Sequence, residues 1–186
     1  ANFAQGILDL QAAGCNIIVD DVFYYLEPYY MPGIIAQAVD QVVAGGTMYF
    51  SSAGNQDRSS YEAPYVNGAT DPFLADLGWL GAHQFSIGDS FNELVFGPGN
   101  YIVILQWDEP FFSHTGGPQA NSDVDLITYI DGVPIPALSS FEENISVTGD
   151  PVEGIGFTVN GGTIPISFHI PHWDGPFPNN LKLIVY

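Results

Sequence analysis

Hydrophobic positions recur in two different rhythms along this chain, and the change falls near residue 78. Upstream, Phe3, Ile7, Leu8 and Leu10 of FAQGILDLQAAG gather on one helical face, and Gly14 is a stop signal. CNIIVDDVF follows as an unbroken apolar run closed by Asp20 and Asp21, the pattern of a strand buried on both faces. PGIIAQAVDQVVAGG predicts a second helix. Pro32 and Gly33 open it, Ile35, Val39, Val42 and Val43 form its buried stripe, and Gly45 with Gly46 closes it. TMYF then supplies a second buried strand. Strand, helix and strand in that order predict a right-handed crossover joining two parallel neighbours.

From residue 79 the rhythm shortens. HQFSIG, ELVFG, YIVILQWD, DVDLITYID, GIGFTV, TIPISFHI and LKLIVY alternate apolar with polar positions, separated by Gly, Pro and Asn clusters. The pattern predicts an antiparallel β-sandwich or jelly roll of roughly eight strands. The expected organisation is an α/β segment over residues 1–78, part of a doubly wound parallel sheet, followed by an all-β domain over 79–186. Two parallel strands with two helices cannot cover their own faces and edges, so the first segment reads as the middle of a larger sheet.

Composition adds one strong constraint. Two basic residues, Arg58 and Lys182, face 21 carboxylates, and the formal net charge is −19. Such a field repels nucleic acid and anionic lipid, excludes both as partners, and suits a saline or calcium-bearing extracellular medium. No apolar run reaches the ~20 residues of a membrane span. Cys15 is single, so no internal disulfide forms, and it reads as a small buried hydrophobe.

The stretch TMYFSSAGNQ carries the most specific signal. With its lead-in, GCNIIVDDVFYY…PGIIAQAVDQVVAGG, it resembles the central segment of a subtilisin-like serine peptidase, and the likeness extends over most of residues 1–66. The resemblance implies that Asn55 is the side-chain donor of an oxyanion hole. It also implies that Ser52, Ala53 and Gly54 line the specificity pocket, with Val22 and Phe23 on a wall of the cleft. A preorganised amide aimed at the developing oxyanion is worth roughly 3–4 kcal/mol, and small residues beside it let a substrate pass close to the backbone.

The rest of that family's catalytic set is missing. GGTIP at 161–165 has no serine after its threonine, GDSF at 88–91 has phenylalanine where glycine is required, and His83, His114, His169 and His172 all lie in the β half. Without serine and histidine nothing activates a nucleophile, so this polypeptide alone is expected not to cleave peptides. QWDEP, SDVDLITYID and GDPVEGIGF resemble the pre-peptidase C-terminal type of sandwich, a module that accompanies secreted peptidases. Together the two resemblances imply an internal segment of a secreted endopeptidase acting on polypeptides. Its aspartate and histidine segments would lie upstream and its serine segment downstream. The competing expectation is a non-enzymatic extracellular module, for adhesion or surface assembly, whose sheet is completed by other copies of itself.

Other groups invite chemistry. Asp123 and Asp125 alternate on one strand and face one side, with Asp108 or Asp131 as candidate neighbours, a hard-oxygen set that suits calcium. Asp20 and Asp21 end a buried strand, where a carboxylate requires backbone N–H, water or a cation. The aromatic run FYYLEPYYM at 23–31 reads as cleft wall, sugar or subunit contact, or plain sheet cover. His169 and His172 flank Pro171 with no evident third metal ligand, and Asn144-Ile145-Ser146 is a glycosylation sequon.

Overall fold

The computed structural model describes residues 2–56 and 59–186, and the chain divides into two compact units, residues 1–57 and 58–186. In the first unit α1 (Asn2–Ala12), β1 (Ile17–Asp20), α2 (Ile34–Ala44) and β2 (Met48–Ser51) alternate. β1 and β2 pair in parallel, with Ile17 opposite Met48 and Asp20 opposite Ser51. Both helices pack on the same face of this pair. Ala4 and Ile7 of α1, Ala38 and Val42 of α2, and Ile18 of β1 form the unit's core, with Tyr49 partly buried against it.

The opposite face is bare. Ile17, Val19, Met48 and Phe50 are 54%, 71%, 52% and 55% exposed. The expectation of strands buried on both faces therefore fails. The continuous apolar run satisfies the helices with every second residue only, because strand side chains alternate. Leu10 and Val43, expected in the helical stripes, are exposed as well, and Ala38 rather than Val43 is buried.

The second unit is β-rich. Its strands are β3 (Ser60–Pro64), β4 (Asn67–Gly68), β5 (Gly81–His83), β6 (Phe91–Phe96), β7 (Gly99–Trp107), β8 (Asp123–Val124) and β9 (Ile127–Ile130). β10 (Val133–Pro134), β11 (Val152–Val159), β12 (Ile164–His169), β13 (Pro171–Asp174) and β14 (Asn180–Val185) complete the set. Three antiparallel sheets result, ordered β11-β7-β14-β3, β10-β9-β12-β6 and β4-β5-β13-β8. The first two contribute to one core: Leu105 and Trp107 of β7 and Leu181 and Leu183 of β14 meet Phe96 of β6 with Ile166 and Phe168 of β12. This is compatible with the expected sandwich. Ile170, fully buried, carries the same chain from β12 into β13 and so ties the third sheet to that core.

β3 pairs with β14, with Glu62 opposite Lys182 and a salt bridge of 3.0 Å between them. That pairing draws residues 58–78 into the β-rich unit, so the division falls earlier than the expected 78/79 boundary. Within this stretch α3 (Pro72–Leu77) is capped by Asp71, whose carboxylate accepts the Phe73 N–H at 2.9 Å, and ends at Gly78 with φ +117°. A further short helix, α4 (Phe112–Thr115), follows β7, and two short helical turns at Pro136–Leu138 and Asn144–Thr148 lie between β10 and β11. Among the described residues no helix is long and apolar enough to cross a membrane.

The packing sets a stability expectation. Phe168→Ala should lower the unfolding free energy of the second unit by about 3–5 kcal/mol, because a fully buried ring leaves a cavity. Urea denaturation followed by tryptophan fluorescence reads this unit alone, since Trp79, Trp107 and Trp173 all belong to it. A loss under about 1 kcal/mol would show that the core collapses around the gap.

Candidate functional site

In a parallel α/β arrangement the loops leaving the carboxyl ends of the strands are where ligands bind. Asp20 and Ser51 end β1 and β2 side by side. Asp20 ties the two ends together: its carboxylate accepts hydrogen bonds from the Tyr49 hydroxyl, from Ser51 Oγ at 2.8 Å and from the Val22 N–H at 3.3 Å. The Ser52 N–H donates to the Asp20 carbonyl at 3.2 Å. Burial works to raise the Asp20 carboxyl, but the bonds from Tyr49, Ser51 and Val22 outweigh it and hold the group below its ordinary value. The same arrangement raises the Tyr49 hydroxyl, through burial and then through its bond to Asp20. The partners expected for Asp20 were backbone N–H, water or a cation; two of the three donors are neighbouring hydroxyls.

Beyond this clamp, Val22 and Phe23 leave β1 exposed, and Ser52, Ala53, Gly54 and Asn55 leave β2 exposed. Gly54 adopts φ +72°, a conformation that glycine takes without cost. The Asn55 N–H donates to Gln56 Oε1 at 3.0 Å, and the residue stands open at the end of the sheet rather than packed into it. The expected cleft residues thus emerge from one edge of one parallel pair. Arg58 lies outside the described residues.

The second unit holds a different constellation. Asp123 and Asp125 are both 3% exposed, one flanking each side of Val124. Trp79 Nε1 donates to Asp125 Oδ2 at 2.5 Å, and the Trp79 ring meets Trp173 edge-on with centroids 4.9 Å apart. With Phe141, Glu142 and Glu143, these residues line a recess of about 210 Å³. Asp123 Oδ1 is buried in the lining with no hydrogen-bond partner among the described residues. Behind the recess, Glu153 of β11 is buried and accepts from Asn144 Nδ2 at 3.1 Å and from the Glu142 N–H at 3.3 Å.

These carboxyls hold their protons unusually tightly. Burial pushes Asp123 up to about 6, with the Glu143 charge adding to it. Burial pushes Asp125 up to about 7 against the opposing bond from Trp79. Glu153 rises to about 8, again chiefly through burial. Neither Asp108 nor Asp131 joins them. Asp108 caps β14 instead, accepting from Asn179 N–H at 3.0 Å and Asn180 N–H at 2.9 Å, and Asp131 turns the chain between β9 and β10 with φ +52°. Among the described residues no three His, Cys, Asp or Glu side chains converge closely enough to hold a metal ion, so the calcium expectation at Asp123 and Asp125 lacks a third such ligand.

The histidines are separately engaged. His83 is buried and depressed to about 4 by burial, and its ring contacts the Tyr61 hydroxyl at 2.9 Å. His169 spans Thr70 Oγ1 at 3.0 Å and the Ser90 carbonyl at 2.9 Å. His172 Nε2 lies 3.2 Å from the Pro176 carbonyl. Asn144, the sequon residue, is fully buried and its amide nitrogen is committed to the Asp150 carbonyl as well as to Glu153. A glycan there is incompatible with this fold. Neither the protein-family models nor the curated proteins provide a match to this chain.

A pH dependence follows. Unfolded carboxyls titrate near 4, whereas Asp123, Asp125 and Glu153 keep their protons to about 6, 7 and 8 in the fold. The folded state therefore binds more protons between these limits. Its advantage is whole below pH 4 and is lost as pH rises through 8. The depressed His83, His169 and His172 oppose this trend below their ordinary value of about 6.5, so the melting temperature should fall between pH 6.5 and pH 8, and Glu153→Gln should flatten the decline. Calorimetry at matched ionic strength would expose an unchanged slope and so contradict the assignment.

Proposed function

We propose that this chain is a central segment of a secreted subtilisin-like serine endopeptidase. Asn55 supplies a carboxamide to the oxyanion hole, and Ser52, Ala53, Gly54, Val22 and Phe23 border the cleft that receives the polypeptide substrate. The β-rich unit is then an accompanying module. The Asp, His and Ser groups that activate and carry out attack belong to other segments of the same domain, which complete a doubly wound sheet around β1 and β2. By itself the chain is inactive, because an oxyanion hole without a nucleophile has nothing to stabilise.

One observation carries this reading: the two-stranded parallel pair whose carboxyl edge bears Asn55 also presents a bare apolar face. Ile17, Val19, Met48 and Phe50 together form a surface that parallel sheets ordinarily cover with helices. A groove of about 470 Å³ runs beside β1, bordered by Phe3, Ile7, Leu10, Ile18 and Val19, where a further strand and its cover would lie. The same face would equally accept a second copy of the chain. That second reading gives concentration-dependent association with no peptidase activity.

Reading the coding sequence on both sides of the segment tests the proposal first, since it requires an H-G-T and an aspartate segment upstream and a G-T-S segment downstream. In the protein that carries them, Asn55→Ala should lower kcat roughly 100- to 1000-fold with little change in KM, as for loss of one oxyanion donor. Flanking sequence without these segments, or full activity in the variant, would rule the reading out.

A further inference from the structure

We infer that the recess lined by Trp79, Trp173, Asp123 and Asp125 binds an organic ammonium cation. Its chemistry is mixed in a particular way. Two indoles and the Phe141 ring line it together with the carboxyls of Asp123, Asp125, Glu142 and Glu143. The Trp79 ring is held in place by its bond to Asp125 and by the edge contact with Trp173. Trp173 and Phe141 remain partly exposed at the mouth, 41% and 47%. Asp123, which lines the recess, contributes in Oδ1 a buried acceptor with no hydrogen-bond partner among the described residues.

Size and valence narrow the occupant. At about 210 Å³ the recess falls below the roughly 300 Å³ of sites for drug-sized ligands, so it fits one head group. A calcium ion wants six to eight hard oxygens, and among the described residues no three acidic or imidazole groups stand close enough together to hold a metal ion. A large, weakly hydrated cation needs less: aromatic faces attract it through their quadrupoles, and one or two carboxylates balance its charge. The chain does not fill the role with its own lysine, because Lys182 of β14 pairs with Glu62 of β3. The ammonium group could come from a free alkylammonium or from a lysine side chain of a polypeptide. The inference stands independently of the peptidase reading.

Binding is linked to protons. The titratable groups lining the recess are Asp123, Asp125, Glu142 and Glu143. Glu153 of β11 interacts with Asp125, Asp174 of β13 acts on Asp123 and Glu143, and His172 of β13 interacts with Asp174 and Glu109. A cation favours the ionised carboxyls, so affinity should rise between pH 5 and pH 8.

Titration of the whole chain with tetramethylammonium chloride at pH 8, followed by indole fluorescence against matched sodium chloride, tests the inference. The expected result is a saturable change, weakened about tenfold or more at pH 5 and in Trp173→Ala. Phe141→Ala serves as a second variant, and circular dichroism checks that both fold. N-acetyl-lysine amide against N-acetyl-norleucine amide distinguishes the sources: tighter binding of the lysine compound than of tetramethylammonium assigns a polypeptide side chain, and the reverse assigns a free alkylammonium. A response no different from sodium chloride would overturn the inference. So would one indifferent to both substitutions in folded protein, or saturation by calcium chloride where tetramethylammonium gives none.

Discussion

A parallel pair of β-strands has two faces and two edges, and in this protein α1 and α2 cover one face only. Everything distinctive about the first unit descends from that shortfall. Ile18 is buried while Ile17 and Val19 on either side of it are not, so a run of apolar residues that could fill a closed sheet is half used. At roughly 25 cal/mol per Å² of apolar surface, leaving four large side chains in water forgoes several kcal/mol. Valine, isoleucine, methionine and phenylalanine make up the kind of face that parallel sheets ordinarily cover. On the proposed reading, the open carboxyl end, clamped through Asp20 and carrying Asn55, is where such a sheet would present its oxyanion donor.

The second unit solves a different problem. With so few basic residues in the chain, most of its carboxyls cannot rely on ion pairs. Glu109 is answered by the Asn121 and Ser122 N–H groups, Asp108 by those of Asn179 and Asn180, and Glu153 by the Asn144 amide. At Asp123, Asp125 and Glu153, burial outweighs the donors present and shifts the balance toward the protonated form. These carboxyls are thus the groups whose charge an outside cation would change most.

Much of this organisation was legible in the sequence. α2 announced itself by its glycine boundaries and periodic valines, and β1 and β2 by their apolar runs. Burial on both faces was not legible as a property of this chain, because a run such as NIIV looks the same whether its second face is covered or waiting. β3 and β13 escaped because SYEAP and PHWD are short, carry proline and have weak alternation; pairing with β14, β5 and β8 decides them. α3 was missed for its length, although Asp71, Pro72 and Gly78 mark its ends. At the acidic recess, alternation brought out Asp123 and Asp125. Nothing in the spacing could join them to Trp79, Trp173 and Glu153, which arrive from distant parts of the sequence. For Asn55 the sequence supplied a turn type and the fold supplies an exposed position.

Whether the bare face of β1 and β2 has a partner can be read side chain by side chain with hydroxyl-radical footprinting. Met48 and Phe50 are reactive reporters on it, and Val42, buried beneath the helices, is the internal control. Comparison of the chain alone with the native gene product should show Met48 and Phe50 readily oxidised in the first and shielded in the second. Equal oxidation in both, with Val42 protected throughout, would mean that the face is simply solvent-exposed and that no larger sheet surrounds it.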